Sequence, residues 1–387
     1  MFQQVDVCVV GSGPSGLGAA IECAKRGLSV LVIDSNLQAG GQLNKQIHKF
    51  FGSSTHKAGT RGILIAQELL EEAINLGVRV WLDSFLYSVS DDLSLQVLSG
   101  VRARKITSNR TACSNTLKCK YLVIATGASE KSVMFPGWTL PGVMSAGAVQ
   151  TMMNMERVLP GENFLVVGSG NVGLIVAYQV LQAGAHVSCI VESSKRIGGY
   201  AVHAAKLRRC GVPILTETTI IRAIGMDEVE AAEIGRIGAD SNAVYSIDRE
   251  ICVDTICVAV GLRPYARVAS LAGCAFGYFP QLGGWVPLHN ENMMTTKQNI
   301  YVAGDASGIE EGGIAEDEGR LAGLDIAFRE DPGQESVVLD RKIVQSRLWE
   351  NRSGPCTREK CTAKKEIIAN WYTRSGSVSS DGVFGVL

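Results

Sequence analysis

Two glycine triads could do chemistry. Gly11, Gly13 and Gly16 lie in VDVCVVGSGPSGLGAAIECAKRGLSVLVID (residues 5–34), and Gly168, Gly170 and Gly173 lie in NFLVVGSGNVGLIVAYQVLQAGAHVSCIVE (163–192). Their spacing suits a pyrophosphate. The first glycine permits a tight turn. The second removes a side chain where phosphates must approach the backbone, and the third lets the following helix pack closely on the strand. The phosphates then sit against a helix N-terminus, where unpaired N–H groups and the helix dipole favour an anion. About 20 residues further on, a carboxylate can accept from ribose hydroxyls, and Asp34 and Glu192 each end the next apolar run. Glu192 would repel a 2′-phosphate, so NAD is expected over NADP at the second triad; Lys195 and Arg196, just beyond, weaken that preference.

Such turns work only between a buried strand and a helix, and each triad has both flanks. The two segments are one repeat: apolar strand, glycine turn, helix ending at Lys25-Arg26-Gly27 or Gln182-Ala183-Gly184, second apolar strand, acid. Two βαβ units imply two doubly wound parallel sheets. Three further apolar runs end in glycine turns: YLVIATGASE (121–130), ICVAVGLRPY within 251–265, and NIYVAGDASG (299–308). A helix is expected after the last, from about Ile314 to Phe328. The acids Glu316, Asp317 and Glu318 near its start have the sign that a helix dipole favours and read as a solvated first turn.

The rest of the composition narrows the function class. A chain of 387 residues exceeds one ordinary core, so two domains are expected. A net charge of −1 gives no reason to expect nucleic acid or an anionic membrane surface. The N-terminus lacks a basic leader, and no apolar stretch reaches the ~18 residues of a membrane-crossing helix; a soluble, cytoplasmic protein is expected. The eleven cysteines are scattered. Cys8, Cys189 and Cys257 sit in apolar runs and read as core, as does Cys252. No Cys-x-x-Cys occurs, and residues 24–112 contain no cysteine. No metal spacing appears, so no metal is expected. The segment GGQLNKQIHKFFGSSTHKAG (40–59) is polar and glycine-rich and carries His48 and His56. The tail after 330 has helical spacing with mixed charge; Trp349 and Trp371 read as core anchors, and the tail could pack on the first domain or dock a partner.

Taken in order, GSGPSG, VIATG, GSGNVG, VAVGLRPY and VAGD resemble the flavoprotein superfamily with two dinucleotide domains, which includes thioredoxin and glutathione reductases. The likeness covers about residues 5–330. It implies an α/β fold of two Rossmann-like domains, the second inserted in the first, with a mostly helical C-terminal tail. The implied boundaries are 1–145 and 265–330 for the FAD domain, 146–264 for the NAD(P)-like domain and 331–387 for the tail. The resemblance implies FAD contacts from Gly11, Gly13, Pro14, Ser15, Gly16, Asp34, Ser35, Gly41, Gln42, Leu43, Ala125, Thr126, Gly127, Gly304, Asp305, Ile314 and Ala315. NAD or another adenine nucleotide would meet Gly168, Gly170, Asn171, Val172, Gly173 and Glu192. Residues 40–43 look like the loop that lies along the flavin in thioredoxin reductases. His48 could be a structural loop residue, or the candidate catalytic group that positions or protonates something at the flavin face.

A disulfide reductase needs two nearby thiols beside the flavin, so the missing dithiol argues against that activity. The extended loop, HKAGTRG (56–62) and LWENRSGP (348–355) are similar to the A (alpha) subunits of opine oxidases, hydrogen cyanide synthase and dye-linked proline or hydroxyproline dehydrogenases. That likeness implies a hetero-oligomer. A partner flavin subunit would oxidise an amine, amino or imino acid while this subunit moves electrons onward. An iron–sulfur cluster needs four ligands, and Cys356 with Cys361 supplies two, so any such centre belongs to a further small subunit. Two alternatives stay open: a stand-alone NAD(P)H-dependent oxidoreductase, and a nucleotide-binding structural subunit.

Overall fold

The structure is a computed structural model, and it describes residues 2–50, 55, 57–100, 112–238, 244–354 and 357–375. His56, Cys356 and Pro355 of the sequence readings lie outside the described residues. Along the chain the first elements are β1 (Phe2–Val10), α1 (Pro14–Ala24), β2 (Val30–Ile33), α2 (Gly62–Asn75), β3 (Arg79–Trp81), β4 (Ser84–Val89), β5 (Ser94–Ser99) and β6 (Cys113–Ile124). There follow β7 (Ala128–Glu130), β8 (Val143–Ser145), α3 (Ala146–Gln150), β9 (Asn163–Val167), α4 (Asn171–Gln182), β10 (His186–Glu192), α5 (Ala201–Arg209), β11 (Ile214–Thr216), β12 (Thr218–Ile224), β13 (Ala231–Ile237), β14 (Val244–Cys252) and β15 (Thr255–Val258). The chain closes with β16 (Leu262–Pro264), α6 (Arg267–Leu271), β17 (Phe276–Phe279), β18 (Gly284–Pro287), β19 (Ile300–Val302), α7 (Gly312–Glu330), α8 (Glu335–Arg352) and α9 (Arg358–Ser375).

Two compact units emerge. One takes the chain up to Ser129 and again from Arg263; the other is Glu130–Leu262. The chain thus leaves the first unit earlier than the sequence boundary at 145, because the segment after β7 packs Val133, Phe135 and Leu140 into a core with Leu165, Val167 and Val191 of the second unit. In the first unit the sheet order is β3-β2-β1-β6, with β19 also on β6. These strands are parallel, and β5 and β4 extend the sheet antiparallel from the N-terminal half of β6. The second unit has a parallel sheet β11-β10-β9-β15-β8 and an antiparallel sheet β12-β13-β14. The repeat therefore extends past the glycine turns: each unit inserts antiparallel strands between the third strand of its repeat, β3 or β11, and the next parallel strand, β6 or β15.

A parallel strand covered on both faces reads as a near-continuous apolar run, and the second half of β1, Val7–Val10, does so. Val7 and Val9 face a core with Leu17, Ile21, Leu69 and Leu321; Cys8 and Val10 face another with Leu95, Leu117 and Val268. Helix α7 packs on α1 through glycines. A Cβ on Gly319 would lie 1.9 Å from the Ser15 carbonyl oxygen, and one on Gly323 2.6 Å from that of Ala19. This close approach brings the N-terminal ends of α1 and α7 together.

The C-terminal helices belong to the first unit. Ile367 and Trp371 of α9 pack on Phe279, Leu282 and Val286 of the β17–β18 hairpin, each large apolar side chain contributing about 1.5–3 kcal/mol. Trp371 is thus a core anchor, and Trp349 is half-buried. Helix α8 meets three buried acids of α7: Arg341 pairs with Asp325, Arg347 with Asp317, and Arg352 with Glu318. The acidic run is therefore not a solvated first turn, contrary to its sequence reading. Asp317 and Glu318 are each 1 % exposed, and half-buried Glu316 pairs with Arg320. Sequence cannot show this, since the compensating cations sit roughly thirty residues downstream. Cys252 is likewise corrected from core to exposed, because it ends an edge strand of the antiparallel sheet; Cys8, Cys189 and Cys257 are buried.

Candidate functional site

The first glycine turn joins β1 to α1, and its three glycines answer three different constraints. Gly11 has φ +107°, and a Cβ there would fall 2.2 Å from the Ala125 carbonyl oxygen, where β6 ends. Gly16 packs helix on turn: its Cβ would stand 1.9 Å from the Gly11 oxygen. At Gly13, by contrast, a Cβ would meet nothing within 4 Å. No protein atom requires a glycine there; the bare backbone faces open space at the N-cap of α1, with Pro14 at the first helical position. Ser15 is buried beneath it.

Asp34, at the end of β2, is buried and aimed at the turn. One carboxylate oxygen accepts from the Ser12 N–H at 2.7 Å and the Ser12 hydroxyl at 2.6 Å, the other from Asn36 N–H at 2.8 Å and its side-chain amide at 3.0 Å. Ser35 beside it is half-buried. The loop after β2 then folds back: Gly40 N–H donates to the Ser12 carbonyl at 2.9 Å, and a Cβ on Gly41 would lie 2.9 Å from the Gly13 Cα. Leu43 is buried below the loop and Gln42 is exposed above it. Further along, half-buried His48 stacks on Phe50 with ring centroids 5.8 Å apart, and a Cβ on Gly312 would touch the Phe50 ring at 3.3 Å. The 40–50 loop thus runs from the first turn to the start of α7.

Three other predicted segments meet there. Ala125 N–H donates to Val10 at 2.8 Å, which ties the VIATG end to β1, and the Thr126 hydroxyl donates to Tyr265 at 2.6 Å. Gly127 has open space where its Cβ would be. Gly304, with φ +69°, lies so near Ser15 that a Cβ would sit 2.5 Å from its hydroxyl. Asp305 follows in a one-turn 3₁₀ segment, Gly304–Ser307. Burial pushes its carboxyl up to about 6, with the nearby Glu318 and Glu310 charges adding to the rise. Helix α7 then opens on Gly312 and Gly313 with no side-chain cap bond, and Ile314 and Ala315 are buried in its first turn.

The second turn copies the first. Gly168 has φ +106° and a would-be Cβ 2.4 Å from the Ala259 oxygen; that of Gly173 falls 2.3 Å from the Gly168 oxygen; at Gly170 nothing lies within 4 Å. Glu192 accepts from Ser169 N–H at 2.9 Å and its hydroxyl at 2.6 Å, as Asp34 does from Ser12. Burial raises the Glu192 carboxyl, and its bonds from Ser169 and Ser194 outweigh that and hold it low. Asn171 and Val172 begin α4, and the Asn171 side chain accepts from Tyr200 N–H at 2.8 Å. One shared feature escaped the sequence reading. Gly199 N–H donates to Ser169 at 2.8 Å, as Gly40 does to Ser12. The paired glycines Gly40-Gly41 and Gly198-Gly199, six and seven residues past each acid, were the available signal.

The family model described as pyridine nucleotide-disulphide oxidoreductase matches residues 5–319. The chain belongs to this family. Its cofactor is accordingly FAD, and the fold includes an NAD(P)-binding domain. The A (alpha) subunit of opine oxidase from Agrobacterium tumefaciens (strain Ach5) is 27% identical over 336 residues, spanning 82% of this chain and 64% of the relative. The HcnB subunit of hydrogen cyanide synthase from Pseudomonas aeruginosa is 24% identical over 352 residues, spanning 86% of this chain and 73% of the relative. Among solved structures, L-proline dehydrogenase from P. horikoshii superposes with a TM-score of 0.66 at 23% identity, covering 90% of this chain and 60% of the other. Thioredoxin reductase of T. acidophilum gives 0.67 at 18%, covering 84% and 99%. The chain therefore spans a little under two thirds of the opine oxidase relative. Among the described residues no group of His, Cys, Asp or Glu could hold a metal ion, and no helix is long and apolar enough to cross a membrane.

Proposed function

We propose that this chain is the FAD-dependent subunit of an enzyme that oxidises an amine, amino acid or imino acid of the opine or proline kind and passes electrons onward with a partner subunit. One observation carries the reading: the chain has the family's glycine turns but no Cys-x-x-Cys. Two pairs have four residues between them: Cys252 is exposed at the end of β14 while Cys257 is buried in β15, and Cys361 lies in the C-terminal tail with Cys356 outside the described residues. Similarity to the opine oxidase A (alpha) subunit, and to HcnB, supports the substrate class.

In this reading Gly11–Gly16, Asp34, the 40–43 loop, residues 125–127, Gly304-Asp305 and the start of α7 hold FAD. The second turn with Glu192 holds NAD or another adenine nucleotide. The bare Gly13 and the two uncapped helix starts fit a group carrying phosphates. Bound FAD would supply the hydride-accepting redox chemistry. The chain's own residues orient it, present backbone N–H groups to its anionic parts and exclude water. His48, stacked on Phe50 near the start of α7, is the candidate group at the flavin face. Any iron–sulfur centre sits on a further subunit.

The intact second turn favours a second reading, a self-sufficient NAD(P)H:acceptor oxidoreductase. Anaerobic titration of the yellow chain separates them. Bleaching by an imino acid, and only with the co-purified partner present, supports the proposal. Bleaching by NADH alone supports the second reading and contradicts the first. A colourless chain that binds nucleotide points to a structural role in a larger complex.

A further inference from the structure

We propose that Lys364 and Arg352, on the two C-terminal helices, are positioning residues that hold the Gly304–Asp305 turn and so set how tightly FAD is retained. The inference rests on the reading above that this turn meets FAD. Its centre is Glu318 of α7. One oxygen of this carboxylate accepts from Gly304 N–H at 2.9 Å and from the Ser307 hydroxyl at 2.6 Å. The other accepts from Lys364 Nζ at 2.7 Å and from the Arg352 guanidinium. Lys364 spends its remaining protons on the turn itself, at 2.9 Å each to the carbonyl and the hydroxyl oxygen of Ser307. One helical turn earlier, Lys360 Nζ donates to the Ile309 carbonyl at 2.9 Å. Arg352 also pairs with Glu310, which Lys364 approaches at 3.4 Å. The hydrogen bonds of Glu318 and Lys364 thus run to segment 304–310 or to another member of the cluster.

The burial makes a purely cohesive role a poor explanation. Lys364 is fully buried, Glu318 is 1 % and Arg352 4 % exposed. Apolar side chains of similar volume would hold two helices at least as well, since buried ion pairs seldom repay their desolvation. What apolar packing cannot do is fix a backbone N–H and a serine hydroxyl. The turn needs that help, because it carries two left-handed glycines, Gly304 at φ +69° and Gly308 at φ +125°. Helix α8 also contains its own control: Arg347 directs its hydrogen bonds to Asp317, an acid as buried as Glu318, rather than to Glu318.

The test compares full-length Lys364→Met with Arg347→Met. FAD affinity is measured by fluorescence titration of the apoprotein, and stability by its thermal midpoint. At comparable losses of thermal midpoint, Lys364→Met is expected to weaken FAD at least tenfold and Arg347→Met less than twofold. Ser307→Ala keeps every charge, and if Lys364→Met does not fold it decides alone: a several-fold weaker affinity is expected, with a loss of midpoint no larger than that of Arg347→Met. Affinity that follows stability equally in both methionine variants, or is unmoved in Ser307→Ala, overturns the proposal. A wild-type chain that binds no FAD overturns the reading beneath it as well, which distinguishes the two failures.

Discussion

Replacing Gly13 and Gly16 separately by alanine should divide cofactor binding from folding. Gly13 has φ −72° and ψ −177°, which alanine adopts freely, and its new Cβ would meet no protein atom within 4 Å. The stiffer unfolded chain favours alanine by about 0.4–1 kcal/mol, and the poorer N-cap offsets roughly as much. The apoprotein midpoint of Gly13→Ala should therefore stay within about 3 °C. A methyl forced into a fitted contact with phosphate costs about 1–3 kcal/mol, or roughly five- to 150-fold in the FAD dissociation constant. Gly16→Ala is the opposite case. Its Cβ would stand 1.9 Å from the Gly11 oxygen and 2.9 Å from its carbonyl carbon. Backbone must move, at about 3 kcal/mol or more, which is about 6–12 °C for a unit of this size. Calorimetry of the apo forms and flavin fluorescence titration read both quantities. A Gly13→Ala apoprotein as unstable as Gly16→Ala, or one with wild-type FAD affinity, would show that Gly13 is not kept bare for a phosphate.

Burial, reinforced by the Lys364 charge, pushes the His289 imidazole down to about 3. Its native form thus binds protons less readily than the unfolded chain, so its stability is present above about 6.5 and lost as pH falls toward 3, by about 5 kcal/mol in the limit; His289→Asn should flatten the acid limb of the midpoint–pH curve. Asp305 has the opposite sign. With its carboxyl up at about 6, its stability is present below about 3.8 and lost as pH rises through 6, so Asp305→Asn should stabilise the apoprotein at pH 7 by up to about 3 kcal/mol while weakening FAD, both read by the same assays. Truncation after Glu330 removes Arg341, Arg347, Arg352 and Lys364, the partners of Asp317, Glu318 and Asp325, together with the packing of Ile367 and Trp371 on the β17–β18 hairpin. With about 1.5–3 kcal/mol lost for each such apolar side chain and the ion pairs gone, the truncated chain should fail to yield a cooperative unfolding transition in calorimetry; a stable, FAD-replete product would contradict the tail's structural role.

The parts of the site legible in the sequence were those that backbone sterics dictate locally. Gly11, Gly13 and Gly16 announce a turn, a gap and a close packing within six residues, and the structure has all three. The 40–59 segment announced itself by polarity after a buried strand, although His48 could be placed only by seeing Phe50 reach Gly312. What stayed hidden depends on distant partners. Glu316–Glu318 has the composition of an exposed helix start, and only the return of α8 and α9 reveals Glu318 as the hub of a buried network. The Gly319 and Gly323 contact with α1 is hidden for the same reason: a glycine inside a helix does not say what approaches it. The Cys252 reading failed because the sequence does not tell an edge strand from a central one.

A density map of the full-length protein, isolated gently with whatever co-purifies, would locate the cofactor outright. FAD is expected with its pyrophosphate over the bare backbone of Gly13 and its adenosine ribose at Asp34. A cleft at Gly11–Gly16 filled by side chains, or FAD bound only at the Gly168–Gly173 turn, would contradict it.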